Sequence, residues 1–245
     1  MKFRQFIRDY SGNYPACQED PGYDKLLMIM EIKFLGHACF RIRGKAVVVL
    51  TDPYDPYLGF KLPKIQADII TISHDHKDHN YLGAVTGSAR RKKPFVVKGP
   101  GEYEIAGVSI FGIRTFHDAS QGKERGENTA YVMIIDGLRI AHLGDLGHKL
   151  TDAQTEEING VDVLMIPVGG TYTLDSQEAV EVVGQVEPKI VIPMHYQLPG
   201  LTIKLSSVEE FLKEIGAESV KPVPKLTVTK DRLPEEREVV VLQKK

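Results

Sequence analysis

The chain has 245 residues, 42% hydrophobic and 26% charged, enough for a substantial core within one domain. A formal net charge of −2 gives no global field that would recruit nucleic acid or an anionic membrane. Two cysteines, Cys17 and Cys39, make no disulfide framework, and no apolar run approaches the roughly 20 residues that span a bilayer. The first ten residues are charged and aromatic, without the apolar region or cleavage site of a secretion signal, so the expected location is cytoplasmic.

In chain order, residues 1–29 form a polar, Pro/Gly-punctuated segment, expected to be a loosely ordered N-terminal extension or to precede a true start at Met28 or Met30. A partner-binding arm is the alternative. From Met30 onward one domain, 30–245, is expected. Ile32–Leu35, Cys39–Ile42 and Ala46–Leu50 read as strands, and Ala67–Ile72 as a buried strand. Tyr81–Ala89 is predicted as a helix, with Arg90-Arg91-Lys92-Lys93 in its last turn offsetting the macrodipole. Short β segments broken by Gly99-Pro100-Gly101, Gly107 and Gly112 follow, then a hairpin, Asn128–Ile135 with Leu138–Leu143, around Asp136-Gly137. Capping boxes at Thr151–Gln154 and Ser206–Glu209 predict helices ending near Gly160 and Gly216. Another helix is expected from Asp175 or Ser176 through Gly184, between strands Val161–Val168 and Lys189–Pro193. The β-like stretches Leu226–Thr229 and Val239–Leu242 close the chain.

The stretch Ser73-His74-Asp75-His76-Lys77-Asp78-His79 sets the chemistry. It puts three histidines and two aspartates just beyond a buried strand, where an exposed turn is expected. Imidazole and carboxylate donors at such density suit zinc, manganese or iron far better than a solvated loop. Further donors follow other apolar strands: His117 after Ile113–Phe116, Asp145 after Ile140–Gly144 and His195 after Val191–Met194. Singly each reads as a loop residue; with the His74 cluster they read as further ligands.

The order His74-x-His76-x-Asp78-His79, His117, Gly144-Asp145 and His195 resembles the metallo-β-lactamase superfamily. Leu35-Gly36-His37-Ala38-Cys39-Phe40, Thr51-Asp52-Pro53, His142–His148 and Ile192–Tyr196 look like its branch of small zinc-dependent hydrolases related to ascorbate-6-phosphate lactonase. The resemblance implies an α/β (α+β) fold, a four-layer αββα sandwich with two metals at one edge. Carried over by position, His74, His76 and His117 would hold one ion. Asp78, His79 and His195 would hold the other, and Asp145 would bridge them. The implied cofactors are two divalent ions per chain, zinc first, with manganese or iron as alternatives. Asp78 and Asp145 are the implied catalytic carboxylates.

Around these, Asp52 resembles the family aspartate that fixes a ligand's tautomer. His37 and Tyr172 are candidates to face the site, the latter beside Gly169 and Gly170, which permit close backbone approach. Arg125 and Asn128, in the loop after His117, are candidates to support the ligands or to contact substrate; a cation there could hold a phosphate or carboxylate, with a solvated loop as the alternative. Cys39, His142 and His148 read as structural. The implied activity is hydrolysis of a small ester, lactone or phosphodiester, phosphorylated or not, by a metal-bridging hydroxide. The alternatives are a metal-dependent nuclease and a non-catalytic metal-binding protein of the same fold. The span from His117 to His195 has no room for the extra domain with which nuclease relatives grip RNA, which counts against nucleic acid as a partner. Oligomeric state is not readable.

Overall fold

The computed structural model describes residues 6–9, 11 and 29–245. The first strands are β1 (Phe6–Asp9), β2 (Met30–Gly36), β3 (Cys39–Arg43), β4 (Val48–Thr51), β5 (Ile65–Gln66), β6 (Ile69–Ile72), β7 (Val85–Thr86) and β8 (Phe95–Lys98). Then follow β9 (Gly101–Ile105), β10 (Val108–Phe116), β11 (Glu127–Ile135), β12 (Leu138–His142), β13 (Val163–Pro167), β14 (Ile190–Met194), β15 (Leu226–Val228) and β16 (Glu238–Val239). Among the described residues, three α-helices are interspersed: α1 (Asp152–Ile158), α2 (Ser176–Val186) and α3 (Val208–Glu214).

Two mixed sheets carry the fold, in the orders β1-β9-β10-β11-β12-β13-β14-β16 and β15-β2-β3-β4-β6-β8. The alternation of side chains along a strand explains the layering. Phe40, Val49 and Ile69 of the smaller sheet join the main core, which also includes Ile110, Val132 and Ile140 of the larger one. Their neighbours Cys39, Leu50 and Ile70 turn into a second, outer core with Tyr54, Leu58 and Ile65. Cys39 is thus buried core, as its sequence setting suggested. Helix α2 buries Ala179, Val182, Val183 and Val186, a spacing that puts all four on one face.

The pairing directions place the functional loops. Strand β2 is antiparallel to β3, β3 to β4, and β4 is parallel to β6, so β2, β4 and β6 run the same way. In the larger sheet β10, β12, β13 and β14 likewise share one direction. The loops after these seven strands contain His37, Asp52, His74–His79, His117, Asp145, Gly169–Tyr172 and His195.

Several local expectations hold, with small shifts. Asp136 and Gly137 both have positive φ, 50° and 79°, the pair of left-handed residues that a tight hairpin turn requires. Thr151 and Gln154 form the capping box of α1, and Asp175 with Glu178 caps α2, which runs through Gly184 to Val186. The box of α3 is Ser207 with Glu210, one residue beyond the expected Ser206–Glu209. Strand β10 passes unbroken through Gly112, where a Cβ would stand 2.6 Å from the Gly99 carbonyl. That glycine admits a neighbouring backbone and ends nothing.

The predicted helix over Tyr81–Ala89 is absent. The segment forms turns and the short strand β7, which pairs with β5 in parallel and binds it further through Ile65 N–H to Ala84 O. Gly83 and Gly87 weaken a helix here, and β-branched Val85 finds a strand partner instead. The basic run beyond therefore neutralises no helix end; Arg91 pairs with Asp9 at 2.5 Å and lies over the Phe95 ring. Strand β1, within the expected N-terminal extension, adds to β9 as a parallel edge strand. The rest of that extension, apart from Ser11 and Ile29, lies outside the described residues, as does Cys17.

Candidate metal centre

Asp145 stands at the middle of the cluster. Its Oδ2 lies 3.1 Å from His117 Nε2, 3.2 Å from His79 Nε2, 3.3 Å from His195 Nε2 and 3.9 Å from His74 Nε2. His76 joins through Nδ1, 3.0 Å from His74 Nε2, and Asp78 Oδ2 lies 3.9 Å from His79 Nε2. His74, His79, His117, Asp145 and His195 are buried, Asp78 is partly so, and His76 is exposed. All seven sequence-predicted ligands therefore meet at one place.

Among the described residues, three sets of donor atoms lie close enough together to hold a cation: His74, His76 and His117; His74, His79 and Asp145; and His37, His79 and His195. The last set offers His37 where the resemblance implied Asp78. His37 is fully buried, its Nε2 lies 3.3 Å from Asp78 Oδ2, and its ring sits 4.1 Å from that of His195.

The surrounding shell explains which ring nitrogens remain available. Asp52, fully buried, accepts the Ser73 backbone N–H at 2.8 Å, the Ser73 hydroxyl at 2.6 Å and His79 Nδ1–H at 2.9 Å. With Nδ1 as the donor, His79 presents its Nε2 lone pair to the cluster. The Ser73 hydroxyl, spending its proton on Asp52, accepts from His74 Nδ1 at 2.9 Å and turns the His74 Nε2 lone pair inward as well. Ser73 drew no attention in the sequence beside its histidine neighbours; its place between a buried carboxylate and a ring nitrogen is a tertiary fact.

The electrostatics agree. Burial, then the charge of His79, lowers the pKa of His74 to about 3, and burial with His195 nearby lowers His37 to about 4, so both rings are neutral near pH 7. Burial raises the Asp78 carboxyl, but the His37 hydrogen bond and the His79 charge outweigh it and keep it below the usual range. Burial opposes charge on Asp145 too, yet His195 and His79 hold it well below the ordinary value. Burial likewise disfavours a charged His79, yet Asp145 and Asp52 hold its pKa well above that of a free imidazole, so the two carboxylates favour positive charge at the point that His79 Nε2 faces.

The hydrogen bonding of these residues suits a metal. Among the described residues, the buried His79 Nε2 and Asp145 Oδ1 have no hydrogen-bond partner. Buried polar atoms are normally paired, and a buried carboxylate facing several imidazole nitrogens calls for positive charge between them, which a cation can supply. The donor set of imidazole and carboxylate suits zinc, manganese or iron.

The other predicted residues divide. Tyr172 and Arg125 line a cleft of about 460 Å³ over the cluster, together with His76, Asp78, His117 and His195. Asn128 does not: it is buried, donates to Thr115 Oγ1 and Leu143 O, and accepts the Asp145 backbone N–H at 3.0 Å. It braces the Asp145 loop, the supporting one of the two roles that the sequence left open for it. His142 Nε2–H donates to Ala38 O at 2.8 Å, and His148 Nε2 accepts the Phe116 N–H, both structural. Gly169 permits the close approach expected of it, since a Cβ there would lie 2.0 Å from the His195 carbonyl. Tyr57, unflagged by the sequence, also lines the cleft; burial and the Asp78 carboxylate raise its phenol pKa.

Residues 31–195 match the family model of the β-lactamase superfamily domain. The chain belongs to the metallo-β-lactamase superfamily. It is 30% identical over 214 residues to a UPF0173 metal-dependent hydrolase from Thermococcus onnurineus, covering 77% of this chain and 93% of that one. It is 32% identical over 198 residues to another from Pelotomaculum thermopropionicum, covering 68% and 84%. Among solved structures, a candidate zinc-dependent hydrolase of the superfamily from Thermotoga maritima superposes with a TM-score of 0.70 at 40% identity. That match covers 87% of this chain and 98% of the other. The sandwich architecture is that of the superfamily, and no described helix is long and apolar enough to cross a membrane.

Proposed function

We propose that the chain is a dinuclear metal-dependent hydrolase acting on a small ester, lactone or phosphodiester. The observation that carries this reading is the Asp145 carboxylate held within 3.1–3.3 Å of three imidazole Nε2 atoms from three different loops. Metal-dependent hydrolases among the relatives support it. We assign His74, His76 and His117 to one ion, Asp78, His79 and His195 to the second, and Asp145 to both. Two bound divalent ions, zinc first and manganese or iron otherwise, supply Lewis acidity that lowers the pKa of water and takes up negative charge on a substrate oxygen.

The protein's own groups supply the rest. Asp52 orients His79 directly and His74 through Ser73. His37 keeps the Asp78 carboxylate ionised and in place, and Asp78 orients the attacking water. Tyr57 and Tyr172 line the cleft above, which admits a small molecule. A site of this form has no need of a serine or cysteine nucleophile.

The test is metal content per chain in protein purified without added metal or chelator, followed by hydrolysis of lactone, ester and phosphodiester panels. About two ions per chain are expected from the two-metal arrangement, with metal-dependent turnover of one panel. No retained metal after reconstitution, or loaded protein inert on all three panels, would defeat the reading.

A further inference from the structure

Arg125 and Tyr172 shape the cleft without belonging to the cluster of imidazoles and carboxylates. We infer that Arg125, backed by Tyr172, forms an oxyanion subsite that holds a phosphate or carboxylate group of the substrate beside the candidate metal centre. This rests on the hydrolase reading above.

The loop that presents Arg125 is built in advance. The buried Asp118 carboxylate accepts four backbone N–H groups, from Ser120 at 2.8 Å, Gly122 at 2.9 Å, Glu124 at 3.1 Å and Arg125 itself at 2.8 Å. The His117 N–H donates to Gly126 O at 3.1 Å, closing the loop on a candidate ligand. Arg125 therefore has its backbone fixed relative to the cluster, and little ordering of the loop remains to oppose binding.

Its guanidinium is also underused. One terminal N–H group donates to Thr171 O at 3.3 Å, and the Cζ lies 5.6 Å from the Tyr172 ring centre. The nearest carboxylate, Glu124, is 4.0 Å away at an exposed position, the outer limit of an ion pair and worth little. A guanidinium offers five N–H donors in a rigid fork matched to carboxylate and phosphate, so most of the fork is available.

The acidic groups around the cleft are engaged elsewhere. Asp75 pairs with Lys98 at 2.9 Å and with Asn80 at 2.8 Å, Asp78 is held by His37, and Asp145 lies among the imidazoles. None of them neutralises Arg125. The side chain also borders a second hollow of about 430 Å³, lined by Lys98, Pro100 and Glu127, whose carboxylate pairs with Arg114; it shares Asp75, His76 and Arg125 with the first. An anion on Arg125 would place a substrate across both hollows, with the candidate metal centre alongside.

The experiment is calorimetric titration of the zinc-loaded full chain with inorganic phosphate and, separately, with acetate. Wild type is compared with Arg125→Ala, Arg125→Lys and Tyr172→Ala, with metal content measured for each. Whichever anion the wild type holds should bind Arg125→Ala more weakly by on the order of tenfold or more at unchanged metal content. Arg125→Lys should recover part of the loss, because lysine keeps the charge and loses the fork. The stronger of the two anions names the substrate group. Binding of both anions by Arg125→Ala within about twofold of wild type, or by neither protein, overturns the inference. Should the hydrolase reading alone fail, no ester, lactone or phosphodiester would be turned over while anion binding still depended on Arg125.

Discussion

The backbone N–H of His195 donates to the carbonyl of His37 at 2.8 Å, and the two rings lie 4.1 Å apart. His37 follows a strand of the smaller sheet and His195 a strand of the larger one, so this contact clasps the two sheets at the edge where the candidate ligands meet. Both residues have left-handed backbone, with φ of 58° and 54°. Non-glycine residues in that region cost free energy, and the surrounding structure has to hold them there.

His37 should therefore matter to the metal, although it has no place in the ligand set carried over from the resemblance. His37→Gln removes the ring beside His195 and the hydrogen bond to Asp78. Chelator competition should show metal affinity lower by about ten- to hundredfold. Affinity within a factor of about two of wild type would reduce His37 to packing.

Asp52 acts at one remove on two histidines. Asp52→Asn offers an amide in place of one carboxylate oxygen and disrupts the tautomers of His79 and, through Ser73, of His74. We expect metal affinity to fall by about ten- to hundredfold with the chain still folded by circular dichroism. Asp52→Ala should in addition lose about 2–3 kcal/mol of stability in denaturant melts, since it leaves buried donors unpaired.

Asp145→Ala removes the carboxylate nearest three imidazoles. Hydrolysis should vanish and metal content should fall below that of wild type, while circular dichroism still reports a folded chain. Wild-type turnover by this variant would rule out the two-metal mechanism.

Gly169→Ala would force a Cβ to within 2.0 Å of the His195 carbonyl, and the contact is backbone, which cannot swing away. Overpacking of this kind costs about 1–3 kcal/mol. Because the strain falls on His195, metal release should accelerate along with the drop in melting temperature. A stable variant with normal metal retention would show that the loop adjusts freely.

Away from the site, Glu31 on β2 accepts from Lys225 Nζ at 2.7 Å and lies 2.8 Å from Lys33 Nζ. The hydrogen bonds from Lys225 and then Lys33 lower its pKa from 4.5 to about 2. A depressed carboxylate contributes stability above its unfolded pKa and loses it as pH falls through the folded value. The contribution, about 1 kcal/mol or less for a pair this close to the surface, should be full at neutral pH. It should decline between pH 4.5 and about 2. The difference in melting temperature between wild type and Glu31→Gln should shrink over that window, and a constant difference would assign the effect to something other than Glu31 ionisation.

Much of this was legible in the linear chain where the signal is local. The alternation of β-branched residues located most strands, and Thr151–Gln154 located a helix start, because each pattern is decided within one turn or one pleat. Tyr81–Ala89 misled for the opposite reason. Its glycines allow either outcome, and the deciding partner, Ile65–Gln66, lies some distance back in the chain. Asn128 was left between supporting the ligands and contacting a substrate, because sequence shows proximity to His117 and cannot show that the amide faces the Asp145 backbone.

The sequence alone determined the donor set and the superfamily: donor types and their order are covalent facts, and their match to a superfamily follows from that order. Tertiary structure alone decided the rest. It set which ring nitrogens face inward, that Ser73 relays Asp52 to His74, that His37 joins the cluster, and that Arg125 sits with most of its donors unused over the cleft. Each depends on loops from different strands meeting at one edge, and that meeting is settled by the packing of two sheets rather than by any short stretch of chain.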